Sequence, residues 1–373
     1  MSQKLRCAVL GATGVAGQQF LAALAAHPLF TLSKLGASER SAGKRYLDAL
    51  RDKAGGLRWY VGGAPPPDAC ELVVEDAATL GADGVDVVFS ALESDAARQI
   101  EPRLAADVPV LSTASAYRYE PDVPILLPGV NFEHARLLHT QRARRGWRGF
   151  IAPGPNCTVV GLAITLKPLH DAFGLQRVVM TSMQAVSGAG RSPGVTALDI
   201  LDNLIPYIAN EEEKVEREAR KLLGSLVGGD AAGGEPRIEP LPLSVSCTCT
   251  RVAVLDGHTE AVFVATQRPA PLDQVKAALE GFGRELRSLN LPSLPPNLIE
   301  VRDDPYRPQP RLDREAGNGM TTVVGRLRPE TSLGEHGVKY VLLSHNTKMG
   351  AAAGTLLTAE QLIHAGYITP RSV

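Results

Sequence analysis

One cysteine is set for chemistry by its neighbours. Pro155-Asn156-Cys157-Thr158 follows the Gly/Pro-rich approach Ala152-Pro153-Gly154 and precedes an apolar, helix-spaced run over 159–169. A thiol at a helix N-terminus has its anion favoured by the dipole, which makes it a nucleophile. The plainer alternative is a buried structural cysteine, and Cys7, inside the first strand-like run, fits it. Cys70 has no evident partner. Cys247 and Cys249 stand two apart on a strand, without the second ligand pair of a zinc site. No His/Cys/Asp cluster has ligand spacing, so no metal is expected.

A base or acid must come from the eight histidines. His27, His134, His139, His170 and His364 lie in helical or helix-end settings and read as packing or surface residues. His258 differs: Arg251-Val252-Ala253-Val254-Leu255-Asp256-Gly257-His258 ends a strand in a tight Asp-Gly turn. That turn presents an Arg and a His together, which suits a substrate anion and proton transfer.

A second chemical feature lies near the start. In Gly11-Ala12-Thr13-Gly14-Val15-Ala16-Gly17, the glycines of a G-x-x-G-x-x-G run separate the first strand from the first helix. Such a turn lets backbone approach a pyrophosphate while the helix N-terminus offers N–H groups; the alternative is an ordinary tight turn. After the second strand comes Ala37-Ser38-Glu39-Arg40-Ser41-Ala42-Gly43-Lys44. Ser38, Arg40 and Ser41 can clasp a ribose 2′-phosphate, with Lys44 adding charge, whereas Glu39 would serve a bare ribose. The expected cofactor is therefore NADP.

These residues need scaffolds, and the chain supplies two kinds. Over the first hundred or so residues, short apolar runs (Cys7-Ala8-Val9-Leu10, 31–35, 85–90 and 108–112) alternate with helical patterns. That alternation predicts a doubly wound parallel sheet, a Rossmann-like domain. After about residue 150 the strands at 178–186, 243–254 and 259–266 are longer and partly alternating, which predicts an α+β domain around a mostly antiparallel sheet. A charged helix is expected over 211–223, with Val215, Ala219, Leu222 and Leu223 inward, and a small-residue-rich helix over 349–365.

Composition narrows the partners. Lys plus Arg number 39 against 40 Asp plus Glu, a net charge of −1, so neither nucleic acid nor an anionic membrane is expected. No apolar run reaches the roughly 18–20 residues of a membrane span. Met1-Ser2-Gln3-Lys4-Leu5-Arg6 runs into a strand without the features of a signal peptide, and five sparse cysteines suit reduced thiols, so a cytoplasmic protein is expected.

In this order and spacing the chain resembles the aspartate-β-semialdehyde dehydrogenases, most closely the branch of archaea, fungi and some bacteria. The resemblance runs almost end to end. It rests on the glycine turn, the 37–44 segment, Phe89-Ser90-Ala91-Leu92, Ser115-Ala116-Tyr117-Arg118, Pro155-Asn156-Cys157-Thr158 and Ser187-Gly188-Ala189-Gly190. It continues through Glu211-Glu212-Glu213-Lys214, the 251–258 segment, Pro308-Gln309-Pro310-Arg311, Gly325-Arg326-Leu327-Arg328 and Ser344-His345-Asn346-Thr347.

The resemblance implies NADPH-dependent reductive dephosphorylation of 4-phospho-L-aspartate to L-aspartate 4-semialdehyde through a cysteine thioester, in lysine, threonine, methionine and isoleucine biosynthesis. By the same resemblance Cys157 is the nucleophile, His258 the general acid/base, and Gln184 orients the acyl-enzyme. Arg251 would pair with the substrate carboxylate, Glu211 with its ammonium, and Arg118 and Lys214 with phosphate; Asn156 joins the substrate site. Gly11, Thr13, Gly14, Val15, Ser38, Arg40, Ser41, Ser90, Ala91, Leu92, Ser187, Gly188 and Asn346 would line the cofactor. The implied domains are 1–155, completed by 346–373, for NADP, and 156–345 for catalysis and oligomerisation as a homodimer or homotetramer. Arg40, Arg118, Lys214 and Arg251 are expected in one cleft, with Glu211 its single acid.

Thr113, Gly129, Ala253 and Met349 depart from the family's usual residues, without touching the Cys, His, Gln, Glu or substrate Arg positions. Rival readings are a malonyl-CoA reductase of the same branch, the more distant N-acetyl-glutamyl-phosphate reductases, and a non-catalytic nucleotide-binding paralogue. Retention of Glu211 and Arg251 favours an amino-acid substrate.

Overall fold

A computed structural model of the chain describes residues 4–190, 194–229 and 233–371. The first strand, β1 (Leu5–Leu10), is buried on both faces, as its unbroken apolar run requires. It leads through the glycine turn into α1 (Val15–Leu24), then β2 (Phe30–Ala37), the single turns α2 (Tyr46–Ala49) and α3 (Pro67–Cys70), and β3 (Val74–Asp76). β4 (Val87–Ser90), α4 (Ser94–Ala105), β5 (Pro109–Ser112), α5 (Leu137–Arg145) and β6 (Phe150–Pro153) complete the first half. All five pairings are parallel and the order is β3-β2-β1-β4-β5-β6. The order reverses between β1 and β4, and ligands of open α/β sheets bind in the crevice at such a point.

α6 (Cys157–Phe173) carries the chain onward and is buried nearly all round. β7 (Leu175–Gln184), the single turn α7 (Ala197–Ile200), α8 (Glu211–Leu222), the hairpin β8 (Ser225–Val227) and β9 (Arg237–Glu239), β10 (Ser244–Arg251) and β11 (His258–Thr266) follow. Then come α9 (Leu272–Gly281), β12 (Ile299–Arg302), α10 (Pro310–Asp313), β13 (Thr322–Pro329), β14 (Gly337–Ser344) and α11 (Ala352–His364). The second sheet runs β10-β7-β11-β14-β13-β12. One face packs on α6, α8 and α9 through Val159, Leu162, Val215, Leu222, Val275 and Leu279. On the other, Val179, Ala261, Phe263 and Val341 are only partly covered.

This sheet is mixed, which corrects the expectation of a mostly antiparallel one. β7, β11, β14 and β13 pair antiparallel, but β10 joins β7, and β12 joins β13, in parallel. A parallel neighbour needs a crossover. The stretch carrying α8 returns the chain for β10, and the one carrying α10 does so for β13. α11 turns back to the first half: Leu356, Ala359 and Leu362 share a core with Phe20, Leu21 and Leu24 of α1 and with Val9 of β1. Among the described residues no helix is long and apolar enough to cross a membrane.

Candidate active site

Cys157 is the first residue of α6, and Asn156 caps the helix by accepting hydrogen bonds from the Thr158 and Val159 amides. The Cys157 Sγ lies 3.3 Å from Nε2 of His258, itself the first residue of β11. The Ala185 amide donates to His258 Nδ1 at 3.1 Å. A ring nitrogen that accepts carries no proton, so the neutral ring holds its proton on Nε2, against the sulfur. Burial and the nearby Arg251 and His345 press the imidazole down to about 3, which keeps it neutral.

Strand register gathers the remaining groups. Gln184 and Arg251 are paired at the ends of β7 and β10, and His258 opposes Ser344 at the end of β14. The Arg251 Nη1 donates to the Ala185 carbonyl at 2.9 Å and reaches the Gln184 amide oxygen at 3.5 Å. Glu211 opens α8, and its Oε1 accepts from Asn156 at 3.0 Å, Thr158 at 3.2 Å and Gln184 at 3.2 Å. Its second oxygen has no hydrogen bond among the described residues. Lys214, one turn along, is half-buried and likewise unpaired among them.

The thiol itself departs from expectation. Burial pushes Cys157 up to about 12 and the Glu211 carboxylate adds to that, while Arg118, Arg251 and the Thr158 amide pull the other way. Desolvation outweighs the helix dipole in the ligand-free chain.

Two other expectations shift. Arg118 is almost wholly buried, with Nε on the Gly154 carbonyl, Nη2 on that of Thr113 and Nη1 on Glu218. One N–H on each terminal nitrogen is left over. Glu211 is thus not the single acid here, because fully buried Glu218, two turns further along α8, meets Arg118 and the Asn156 amide. Sequence reasoning missed Glu218. The available signal was an acid three residues past Val215 and four before Leu222, inside the helix's apolar stripe.

Asn346 accepts from the Gly257 amide at 2.9 Å and donates to the Ser187 hydroxyl at 2.8 Å, so it ties the two loops that flank His258. Gly188 lies against the same centre: a Cβ there would sit 3.0 Å from Arg251 Nη1 and 3.1 Å from His258 Cε1. Of the four departures, Thr113 spends its hydroxyl on the Ser90 carbonyl, and Met349 is buried in the core of the second half. Gly129 has a φ of +80°, a conformation in which an acidic side chain would be strained. Ala253 makes no contact that explains its choice.

Of the residues expected at the cofactor, those of the first half lie around the β1 turn and the ends of β2 and β4. Gly11 has a φ of +72°, and a Cβ on it would stand 2.4 Å from the Ala91 carbonyl oxygen, so only glycine lets the β1 turn meet the β4 loop. Gly14 caps α1 without a side-chain bond, and no acid occupies the first turn. The helix therefore keeps amide donors for an anion, with Thr13 and Val15 at its mouth. Ala91 and Leu92, just past β4, are half-buried beside the β1 turn, whereas Ser90, the last residue of β4, is fully buried. Ser38 and Arg40 are exposed and Ser41 half-exposed just past β2. This donor set fits a dinucleotide with a 2′-phosphate. Among the described residues no group of three His, Cys, Asp or Glu can hold a metal.

Comparison with known proteins gives concordant matches. Residues 6–138 match the family model "Semialdehyde dehydrogenase, NAD binding domain", and 166–349 match "Semialdehyde dehydrogenase, dimerisation domain". The chain is 48% identical to the aspartate-semialdehyde dehydrogenase of Archaeoglobus fulgidus, over 95% of this chain and 97% of that one. It is 43% identical to that of Aspergillus fumigatus, over 98% and 99%. The crystal structure of aspartate semialdehyde dehydrogenase with NADP from Candida albicans superposes with a TM-score of 0.84 at 39% identity, covering 98% of this chain and 100% of that one.

Proposed function

Since this chain belongs to the aspartate-semialdehyde dehydrogenase family, we propose that it reduces 4-phospho-L-aspartate to L-aspartate 4-semialdehyde and phosphate, with NADP as its cofactor. The observation that carries the reading is the Cys157–His258 contact at 3.3 Å, at a helix N-terminus, with Arg251 and Glu211 alongside. The curated relatives support this substrate over malonyl-CoA and over a non-catalytic role.

Arg251 takes the α-carboxylate as a fork, and the unshared oxygen of Glu211 takes the α-ammonium. The ammonium neutralises the carboxylate that holds the Cys157 thiol up, so substrate binding itself promotes the thiolate. With its proton released to solvent, the Cys157 thiolate attacks the acyl carbon; the C–S bond forms, the C–O bond to phosphate breaks, and Arg118 and Lys214 receive the departing phosphate. Bound at the crevice, NADPH supplies the hydride that reduces the thioester. The Nε2–H of His258 hydrogen-bonds the oxyanion, and the thiohemiacetal collapses to the aldehyde as Cys157 leaves as a thiolate. His258 thus acts through its donor side. Acting as a base at Nε2 would require the ring to give up the Ala185 bond. Gln184, held between Arg251 and Glu211, orients the acyl group.

Residues 1–155 with 346–373 form the cofactor domain in this reading, supported by the shared core of α1 and α11. Residues 156–345 form the catalytic part, and a second copy covers the outer face of its sheet as a dimer or tetramer. The five unpaired cysteines fit a cytoplasmic enzyme. The deciding assay is NADP⁺ reduction by aspartate semialdehyde with and without phosphate, beside NADPH oxidation by malonyl-CoA. Phosphate-dependent turnover that Cys157→Ala abolishes, with NADPH binding retained, is the expected result. Turnover only with malonyl-CoA, or substantial activity in the alanine variant, would overturn it.

A further inference from the structure

Glu218 is fully buried and has no part in the chemistry described above, yet its carboxylate joins both sides of the centre. Oε1 accepts from Arg118 Nη1 at 3.1 Å and from the Tyr119 hydroxyl at 3.0 Å. Oε2 accepts from the backbone amide of Asn156, the residue before Cys157, at 2.6 Å. We infer that Glu218 is a positioning residue, which sets the Arg118 guanidinium in fixed register with the Cys157 helix so that phosphate is gripped where the thiolate displaces it.

The loop carrying Arg118 does not depend on Glu218 for its backbone path. One turn further along α8, Lys221 donates to the carbonyls of Arg118 at 2.7 Å, Val123 at 2.8 Å and Glu120 at 3.4 Å. Glu218 therefore governs the Arg118 side chain, while Lys221 holds the chain that bears it. With Gly154 and Thr113 on the other edges, the guanidinium has one orientation and one spare N–H on each terminal nitrogen. An amide at 218 cannot replace the carboxylate, because its NH₂ would face either the Asn156 amide or the Arg118 and Tyr119 donors.

The inference rests on the proposed activity, and a double-mutant cycle in the phosphate-dependent direction tests it. Glu218→Gln should raise KM for phosphate about tenfold or more, as expected for a lost bond to a charged group, and leave KM for the semialdehyde within about twofold. Arg118→Lys should also raise KM for phosphate. In that background, where a single ammonium cannot hold Gly154, Thr113 and Glu218 together as the guanidinium does, adding Glu218→Gln should change it by less than about threefold. Glu218→Asp, charged but one methylene short of spanning both partners, should give an intermediate rise and serves if the glutamine variant fails to fold. An unchanged phosphate KM in Glu218→Gln and Glu218→Asp, or the same fold-change in both backgrounds, would overturn the positioning role. A wild-type enzyme showing no phosphate-dependent NADP⁺ reduction would overturn the functional reading and this inference with it.

Discussion

The Cys157 thiolate is opposed by burial and by the Glu211 carboxylate, and only the second can be altered without opening the core. Glu211→Gln removes the charge while keeping an amide oxygen for Asn156, Thr158 and Gln184. Removing a negative charge lowers the thiol's proton affinity. At pH 8 the ligand-free variant should react with iodoacetamide roughly three- to tenfold faster than wild type, on the scale of up to one pKa unit. Its turnover should fall, since the ammonium contact is lost. A slower alkylation would refute the charge argument. At this scale the sequence was informative wherever a residue stands at an element's end: Cys157 is marked by a Gly/Pro-rich approach before an apolar helical run, and His258 by an Asp-Gly turn. For Glu218 it offered only a place in the apolar stripe of α8, because burial of that acid depends on a loop brought in by the other sheet.

Among the elements, α6 carries the most meaning, since its first turn is both a structural cap and the floor of the site. Asn156→Ala should lower stability by about 1 kcal/mol through loss of the cap, read by urea unfolding. Asn156→Asp should keep most of that stability, because its carboxylate still accepts from Thr158 and Val159. It would also set a second negative charge against Glu211, now 3.0 Å from the Asn156 amide. Turnover in the aspartate variant should therefore fall at least about tenfold while the unfolding midpoint stays close to wild type. Turnover in the aspartate variant close to wild type would mean that the cap alone matters. The doubly wound half could be read from alternating apolar runs and helical patterns, and α8 from Val215, Ala219 and Leu222. The parallel edges of the second sheet could not. β10 looks the same to local sequence whichever way it pairs, and only the crossover through α8 sets its direction.

At the scale of the whole molecule, near-neutral net charge conceals groups that must stay uncharged inside it. Glu260, central in β11, is completely buried, with neither carboxylate oxygen hydrogen-bonded among the described residues, and burial holds it well above its usual 4.5. The folded state keeps this proton while the unfolded chain releases it above about pH 4.5. Its contribution is thus full below that pH and is lost as pH rises. Glu260→Gln should match wild type near pH 4.5 and exceed it progressively towards pH 8, by about 2 °C or more in Tm at roughly 2–4 °C per kcal/mol. A difference independent of pH would show that the carboxyl is not held neutral. His258 works in the opposite window, its neutral form favouring the fold above about 6.5 and losing that effect as pH falls towards about 3. The seating of α11 also orders events during synthesis. Its residues share a core with α1 and β1, which the ribosome makes far earlier, so part of that apolar face stays open while residues 156–345 are translated. The nascent chain must keep that apolar seam from wrong partners until α11 emerges.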